Sequence, residues 1–205
     1  LADAILQVWF PGTQSGYGIA DVLSGNYNPS GRLVMSFPRN VGQVPIYYNH
    51  KNTGRPVDPN NPTVDYRSKY EDAPVTPLYP FGYGLSYTTF NISNVQLSSA
   101  TLSKGGKLTV TAQVANTGKR DGEIVVQLYI RDLVGSVTRP VKELKGFQKV
   151  ALKAGESKQV QFEITEDLLA FYNADLKKVT EPGAFKLWVA QHSADNSNEK
   201  DFELK

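Results

Sequence analysis

The chain contains no cysteine, which excludes a disulfide framework, a thiol nucleophile and any thiolate metal site. Histidine is almost as scarce. His50 and His192 stand far apart, neither beside carboxylates at ligand spacing, so a metal centre is not expected. Neither sign of charge dominates, with 22 Lys and Arg against 20 Asp and Glu. Without a basic run, nothing points to nucleic acid or an anionic membrane as a partner. No apolar run approaches the roughly 20 residues of a helical membrane span, and no basic-then-apolar leader opens the chain. What is present is an ordinary folded composition, 40% apolar and 20% charged over 205 residues, enough for one large or two small cores.

The chain opens at Leu1 inside "LADAILQVWF", without an initiator Met, which reads as an interior cut in a longer protein. Leu1, Ile5, Val8 and Trp9 recur at helical spacing, predicting the end of an amphipathic helix stopped before Pro11-Gly12. "TQSGYGIADVLSGN" predicts a second helix, with Ile19, Val22 and Leu23 on one face, Thr13 or Ser15 as N-cap and Gly25-Asn26 as its stop. "GRLVMSFP" reads as a short buried strand from Leu33 to Phe37, ended by Pro38. One strand and two helices cannot cover a sheet. The start is therefore expected to be the end of an α/β layer whose other strands lie upstream; a small, self-complete α+β domain is the alternative. Such a cut layer would leave an apolar patch and open a route to self-association as a homodimer.

From Val41 to Pro77 periodicity disappears, while Pro, Asn, Tyr and basic residues accumulate. Unstructured stretches this long are usually functional or wrap another surface, so this loop is expected to touch something. From Phe90 the pattern turns to period two. "NISNVQLSSA", "KLTVTAQVANTG", "EIVVQLYIRD", "PVKELKGFQKVAL", "SKQVQFEIT", "GAFKLWVAQHS" and "DFELK" are separated by Gly-, Asn- and Pro-rich turn signals. About seven strands suit an immunoglobulin-like or fibronectin type III-like sandwich. Leu108, Val110, Ala112 and Val114 are expected to face inward, as are Phe185, Leu187 and Val189. Trp188 then faces outward or toward a neighbouring layer. "DLLAFYN", residues 167–173, reads as one helical turn between strands.

Reactive groups are sparse. Ser86 sits in Gly84-Leu85-Ser86-Tyr87, which is not a nucleophile elbow. Gly12, Gly16 and Gly18 only loosely resemble a dinucleotide loop and are expected instead to allow tight helix packing. Asp58, Asp65, Glu71 and Asp72 cluster in the long loop, but nothing marks two of them as the buried pair that glycoside hydrolysis needs. A solvated or ion-paired loop is the expectation. The sole glycosylation sequon is Asn91-Ile92-Ser93, since Asn28-Pro29-Ser30 carries proline.

"WFPGTQSGYGIADVLSGNYNPSGRLVMSFPRNVGQVPIYYNHKNTGRP" followed by "LYPFGYGLSYTTF" resembles the C-terminal portion of the family-3 glycoside hydrolases, and most nearly their bacterial periplasmic β-glucosidases. The likeness continues through "VANTGKRDGEIVVQLYIRD", Thr138 to Phe147 and "LKAGESKQVQFEI", covering almost the whole chain. It implies an α/β fragment, the end of an α/β sandwich domain, over residues 1–87, then an all-β fibronectin type III-like sandwich over 88–205. It further implies that the nucleophilic aspartate lies on an upstream (β/α)8 barrel and the acid/base glutamate earlier in the α/β sandwich domain. No residue here, Asp21 and Glu71 included, inherits a catalytic role. The implied parent is a retaining, exo-acting β-glucosidase, periplasmic or secreted, using no cofactor and no metal. Its partners would be the barrel, the rest of the α/β sandwich domain and a β-glucoside or oligosaccharide.

On this reading Phe81, Gly82, Tyr83, Gly84 and Tyr87 form the joint between the layers: the glycines permit positive φ or close approach, and the rings fill the seam. Tyr47, Tyr48, His50, Lys51 and Arg55 are the candidates for the rim of a sugar pocket, because aromatic faces stack on pyranose rings and charged tips bond hydroxyls. A stand-alone carbohydrate-binding or adhesion module is the competing function. Exposed coplanar aromatics would favour the module, and tyrosines buried at the seam would favour the scaffold.

Overall fold

The computed structural model describes residues 2–58, 61 and 64–205. Alternation builds the second half. Strand β1 (Phe90–Leu97) pairs with β3 (Lys107–Asn116), which pairs with β6 (Ser157–Thr165), forming one antiparallel sheet. The other sheet runs β2 (Thr101–Leu102), β10 (Glu199–Leu204), β9 (Gly183–Ala190), β4 (Gly122–Asp132) and β5 (Glu143–Leu152). Each of the seven expected runs forms a strand. Between β6 and β9, the expected helical turn is α2 (Glu166–Leu169), and its tail instead pairs as β7 (Phe171–Tyr172) with β8 (Lys178–Val179).

The two sheets enclose one apolar core. Leu108, Val110, Ala112 and Val114 of β3 meet Ile124, Val126, Leu128 and Ile130 of β4 and Phe185, Leu187 and Val189 of β9, all of them buried. Burial of this extent is the main driving force for folding such a sandwich. β4 is buried on both faces: its opposite side carries Gln127 and Tyr129, also buried. Trp188 of β9 joins Tyr129 and Ala190 in a second, outer cluster against Tyr48, Phe81 and Leu144. Trp188 thus faces a neighbouring layer.

Among the described residues before Phe90 there is one α-helix, α1 (Ser15–Ser24). Gly25 ends it with φ 78°, its N–H donating to the Val22 carbonyl, as the Gly25-Asn26 signal requires. The start corrects the expectation: Gln14, not Thr13 or Ser15, is the N-cap, and it makes no capping hydrogen bond. Ile19 and Val22 are half-buried, but Leu23 is exposed.

Two further elements differ from the sequence reading. Residues 2–10 form no helix; Leu1 lies outside the described residues. Ile5, Val8 and Phe10 are exposed, while Trp9 stands at φ 49° and meets the Phe37 ring at 6.2 Å, a backbone conformation that no right-handed helix contains. Leu33 to Phe37 is not a buried strand either. Val34 and Met35 are exposed, and Phe37 makes only a single bridge, to Tyr79. The Leu33–Phe37 stretch finds its partner in the aromatic segment downstream. Leu33 N–H donates to the Tyr83 carbonyl at 2.8 Å and Gly82 N–H to the Leu33 carbonyl at 2.8 Å; Phe37 N–H donates to Tyr79 and Leu78 N–H to Phe37, again at 2.8 Å. These bonds tie residues 33–37 and 78–83 into a two-stranded strap lying beside the outer face of β4.

Candidate functional site

The strap meets the sandwich at an aromatic seam. Phe81 stacks on Tyr48, ring centroids 4.3 Å apart, and Tyr48 meets Tyr129 edge-on at 6.0 Å. The Tyr48 hydroxyl accepts the Leu144 N–H at 3.2 Å. Tyr83 stacks on Tyr79 and presents an edge contact to His192, each at 5.6 Å. Burial pushes the His192 imidazole below its ordinary pKa, with Asp195 opposing, so it sits in the seam as a neutral ring near pH 7.

Polar groups lock the same seam. Gln127 Nε2 donates to the Gly82 carbonyl at 3.1 Å and to the Gln191 carbonyl at 2.6 Å, while the Tyr129 hydroxyl donates to Gln127 Oε1 at 2.5 Å. Burial pushes the Tyr129 hydroxyl far up, so it remains a donor. Lys142 is buried, its ammonium 4.2 Å from the Trp188 ring and donating to Ser193 O, Asp195 O and Asn196 Oδ1 at 2.9, 3.2 and 2.7 Å. Desolvation lowers its pKa to about 8, with Asp195 and Glu199 pulling it back up.

Gly82 and Gly84, the glycines expected at a joint, act differently. Gly82 has φ 80°, and a Cβ there would lie 2.1 Å from Gln127 Oε1. Gly84 is a case of close approach alone, since a Cβ would meet the Gly31 carbonyl oxygen at 2.6 Å. Tyr87 is partly exposed, donates its hydroxyl to the Val22 carbonyl at 2.7 Å and lies under the Arg120 guanidinium. It therefore ties α1 to the start of the sandwich. Gly12, Gly16 and Gly18 do not support tight packing: a Cβ on any of them would touch nothing within 4 Å. Gly12 instead serves the turn into α1, at φ 74°.

The long loop does touch the sandwich. Val141 N–H donates to the His50 carbonyl at 2.9 Å, and Lys51 bridges to Pro140. Of the rim candidates, Tyr48 is taken up by the seam, whereas Tyr47, His50, Lys51 and Arg55 are exposed. Asp58, Asp65, Glu71 and Asp72 are all exposed, with Asp65 4.0 Å from Lys69. The four carboxylates are not a buried pair. Ser86 Oγ donates to Asn28 Oδ1 at 2.8 Å, a structural use of the hydroxyl.

Four polar residues that organise this region escaped the sequence reading: Asn28, Gln43, Gln127 and Lys142. The first carried a signal, an Asn beside Pro-Ser outside any usable sequon. Gln127 occupied an outward position of an alternating strand, where polar residues are ordinary. Gln43 stood in a run without periodicity, and Lys142 at the head of a strand run, where a lysine reads as solvated.

Comparison with known proteins places this geometry. Residues 1–87 match the model of the glycosyl hydrolase family 3 C-terminal domain, and residues 124–193 match that of the fibronectin type III-like domain. The chain is 54% identical to a periplasmic beta-glucosidase of Salmonella typhimurium over 99% of its own length and 26% of that protein. It is 43% identical to a beta-xylosidase of Formosa agariphila over 93% of its length and 25% of that protein. The crystal structure of a beta-glucosidase from Listeria innocua in complex with isofagomine superposes with a TM-score of 0.94 at 47% identity, covering 99% of this chain and 28% of the other. The chain thus spans about a quarter of the length of the relatives it matches.

Proposed function

Because the chain belongs to the family-3 glycoside hydrolases as their C-terminal portion, we propose that it is the non-catalytic scaffold of a retaining, exo-acting β-glucosidase. The upstream part then carries both catalytic carboxylates and removes nonreducing-end glucose by double displacement, in the periplasm or outside the cell. Phe81, Gly82, Tyr83, Gly84 and Tyr87 join the α/β end to the sandwich. Tyr47, His50, Lys51 and Arg55 contribute to the rim of the sugar pocket, with Tyr48 as their anchor.

The burial of the aromatic seam carries this reading. Tyr48, Phe81, Tyr129 and Trp188 are spent on one another instead of being displayed as a flat face for a glycan. A second observation agrees with it. Ile5, Phe10, Val34 and Met35 are exposed, and apolar side chains in that number fit coverage by the upstream part of the protein.

Aryl β-glucoside hydrolysis tests the reading directly. The expected outcome is no turnover by residues 1–205 alone, and turnover when a separately expressed upstream segment is added. Hydrolysis by the lone chain would overturn the scaffold reading; tight binding of an oligosaccharide by the lone chain would favour the module instead.

A further inference from the structure

The loop between the two arms of the strap is closed at its neck by one side chain. Gln43 lies in a short 3-10 turn (Val41–Gln43) and is only 2% exposed. Its Oε1 accepts the Arg39 N–H at 2.5 Å, and its Nε2 donates to the Pro74 carbonyl at 2.7 Å and the Thr76 carbonyl at 3.3 Å. Both amide protons are used across a sequence gap of more than thirty residues. Arg39 reinforces the closure, donating from Nε to the Thr76 carbonyl at 3.0 Å and from Nη2 to Thr76 Oγ1 at 3.4 Å.

Glutamine is the side chain this neck requires. Glutamate would keep the acceptor but turn a second oxygen toward two carbonyls, and methionine would fill the volume with no polar bond. A buried amide satisfied on both ends is costly to remove, yet Gln43 belongs to neither apolar cluster of the sandwich. Its bonds hold the loop rather than the core.

Beyond the neck the loop has one more firm anchor close by. Tyr48, five residues on, is wedged between Phe81 and Tyr129. Between the clamp and the wedge stands Tyr47, 60% exposed. An exposed aromatic on a segment pinned at both ends presents a preorganised face, which binds at a lower entropic cost than a free one.

We infer that Gln43 is a positioning residue: by closing the neck of residues 44–73 it fixes Tyr47 as a stacking surface for a pyranose ring at the rim of the glycoside site. This inference rests on the proposed function, since it needs the upstream part to supply the rest of that site. Its effect is on binding rather than on bond cleavage, because neither Gln43 nor Tyr47 is near a buried carboxylate pair among the described residues.

The test uses the full-length protein with Gln43→Met, read by tryptic cleavage after Lys51, Arg67 and Lys69 and by aryl β-glucoside kinetics. Cleavage in the loop at least about tenfold faster, with KM raised about tenfold and kcat within about threefold, is the expected result, because loss of binding alone moves KM. Tyr47→Ala should reproduce the KM change without the faster cleavage. Loop cleavage unchanged in Q43M would show that the clamp does not hold the loop. Faster cleavage with unchanged KM would show that the loop presents nothing to the substrate; either result overturns the inference while leaving the glycosidase reading intact. Absence of hydrolysis by the wild-type full-length protein would instead overturn the functional reading, and the inference with it.

Discussion

Gln127 holds Gly82 so closely that no other residue fits: its amide donates to the Gly82 carbonyl at 3.1 Å, and its own oxygen lies 2.1 Å from where a Cβ would stand. With φ at 80°, an L side chain at Gly82 is also strained in the backbone. Gly82→Ala should therefore cost ~1–2 kcal/mol from the left-handed conformation alone, plus the displacement of a buried amide. We expect urea denaturation to show a loss of about 2–4 kcal/mol, the conformational and hydrogen-bond costs together. Gly84→Ala, free of the positive φ, should cost less; equal losses would contradict this account.

Tyr48 separates packing from hydrogen bonding at the seam. Tyr48→Phe removes only the acceptor for the Leu144 N–H and should cost about 1 kcal/mol. Tyr48→Ala removes the stack on Phe81 and the edge contact with Tyr129. For a half-buried ring the expected loss is about 2–3 kcal/mol, below that of a fully buried aromatic. Chemical denaturation of the two variants checks the order, and near-UV circular dichroism of the alanine variant should lose the seam's signal while the far-UV strand signal stays.

Lys142 makes stability depend on pH in an unaccustomed direction. Its pKa falls from 10.5 to about 8 in the folded state, so between about pH 8 and pH 10.5 the unfolded chain binds more protons than the folded one. Stability then rises with pH across that window, by up to about 3 kcal/mol, whereas below pH 8 the full desolvation cost is present. The groups facing the ammonium are Asp195 and Glu199, which oppose the shift, and His192, whose own pKa the ammonium lowers. The urea midpoint measured from pH 7 to pH 10 should climb more steeply for the wild type than for Lys142→Met. Parallel curves would remove Lys142 as the source.

The sandwich was legible in the sequence because its signal is repeated: seven runs, alternating or rich in β-branched residues, are separated by turn signals, and inward positions such as Leu108 and Val110 are buried as the pattern demands. The first half carried no such redundancy. Leu1, Ile5, Val8 and Trp9 satisfy helical spacing, but spacing does not reveal that Trp9 takes φ 49° and turns its ring to Phe37, a contact far along the chain. "GRLVMSFP" reads as a short buried strand, but Val34 and Met35 are exposed, and its partner, residues 78–83, comes after a long aperiodic loop that no local pattern bridges. The aromatics of the seam were visible as composition. Their polar locks were not, because a lone Gln127, Gln43 or Lys142 becomes informative only when two layers close over it.

Asn28 offers the sharpest check on how the α1 end is tied to the sandwich. Its Oδ1 accepts from Ser86 Oγ and the Tyr87 N–H, both at 2.8 Å, and its Nδ2 donates to the Asp121 carbonyl at 2.8 Å. One side chain thereby joins the segment after α1, the approach to β1 and the turn before β4. Asn28→Ala removes all three bonds and should cost about 2 kcal/mol, the sum of three modest net hydrogen-bond contributions. Asn28→Asp keeps both accepted bonds and loses the donated one, setting a carboxylate against the Asp121 carbonyl. Hydrogen exchange at the Tyr87 amide distinguishes the two: it should accelerate in the alanine variant by more than tenfold, the equivalent of about 1.4 kcal/mol, and change little in the aspartate variant. The core amides of β3 and β4 should keep their protection in both, because the sandwich closes on its own apolar faces and Asn28 only fastens what precedes it.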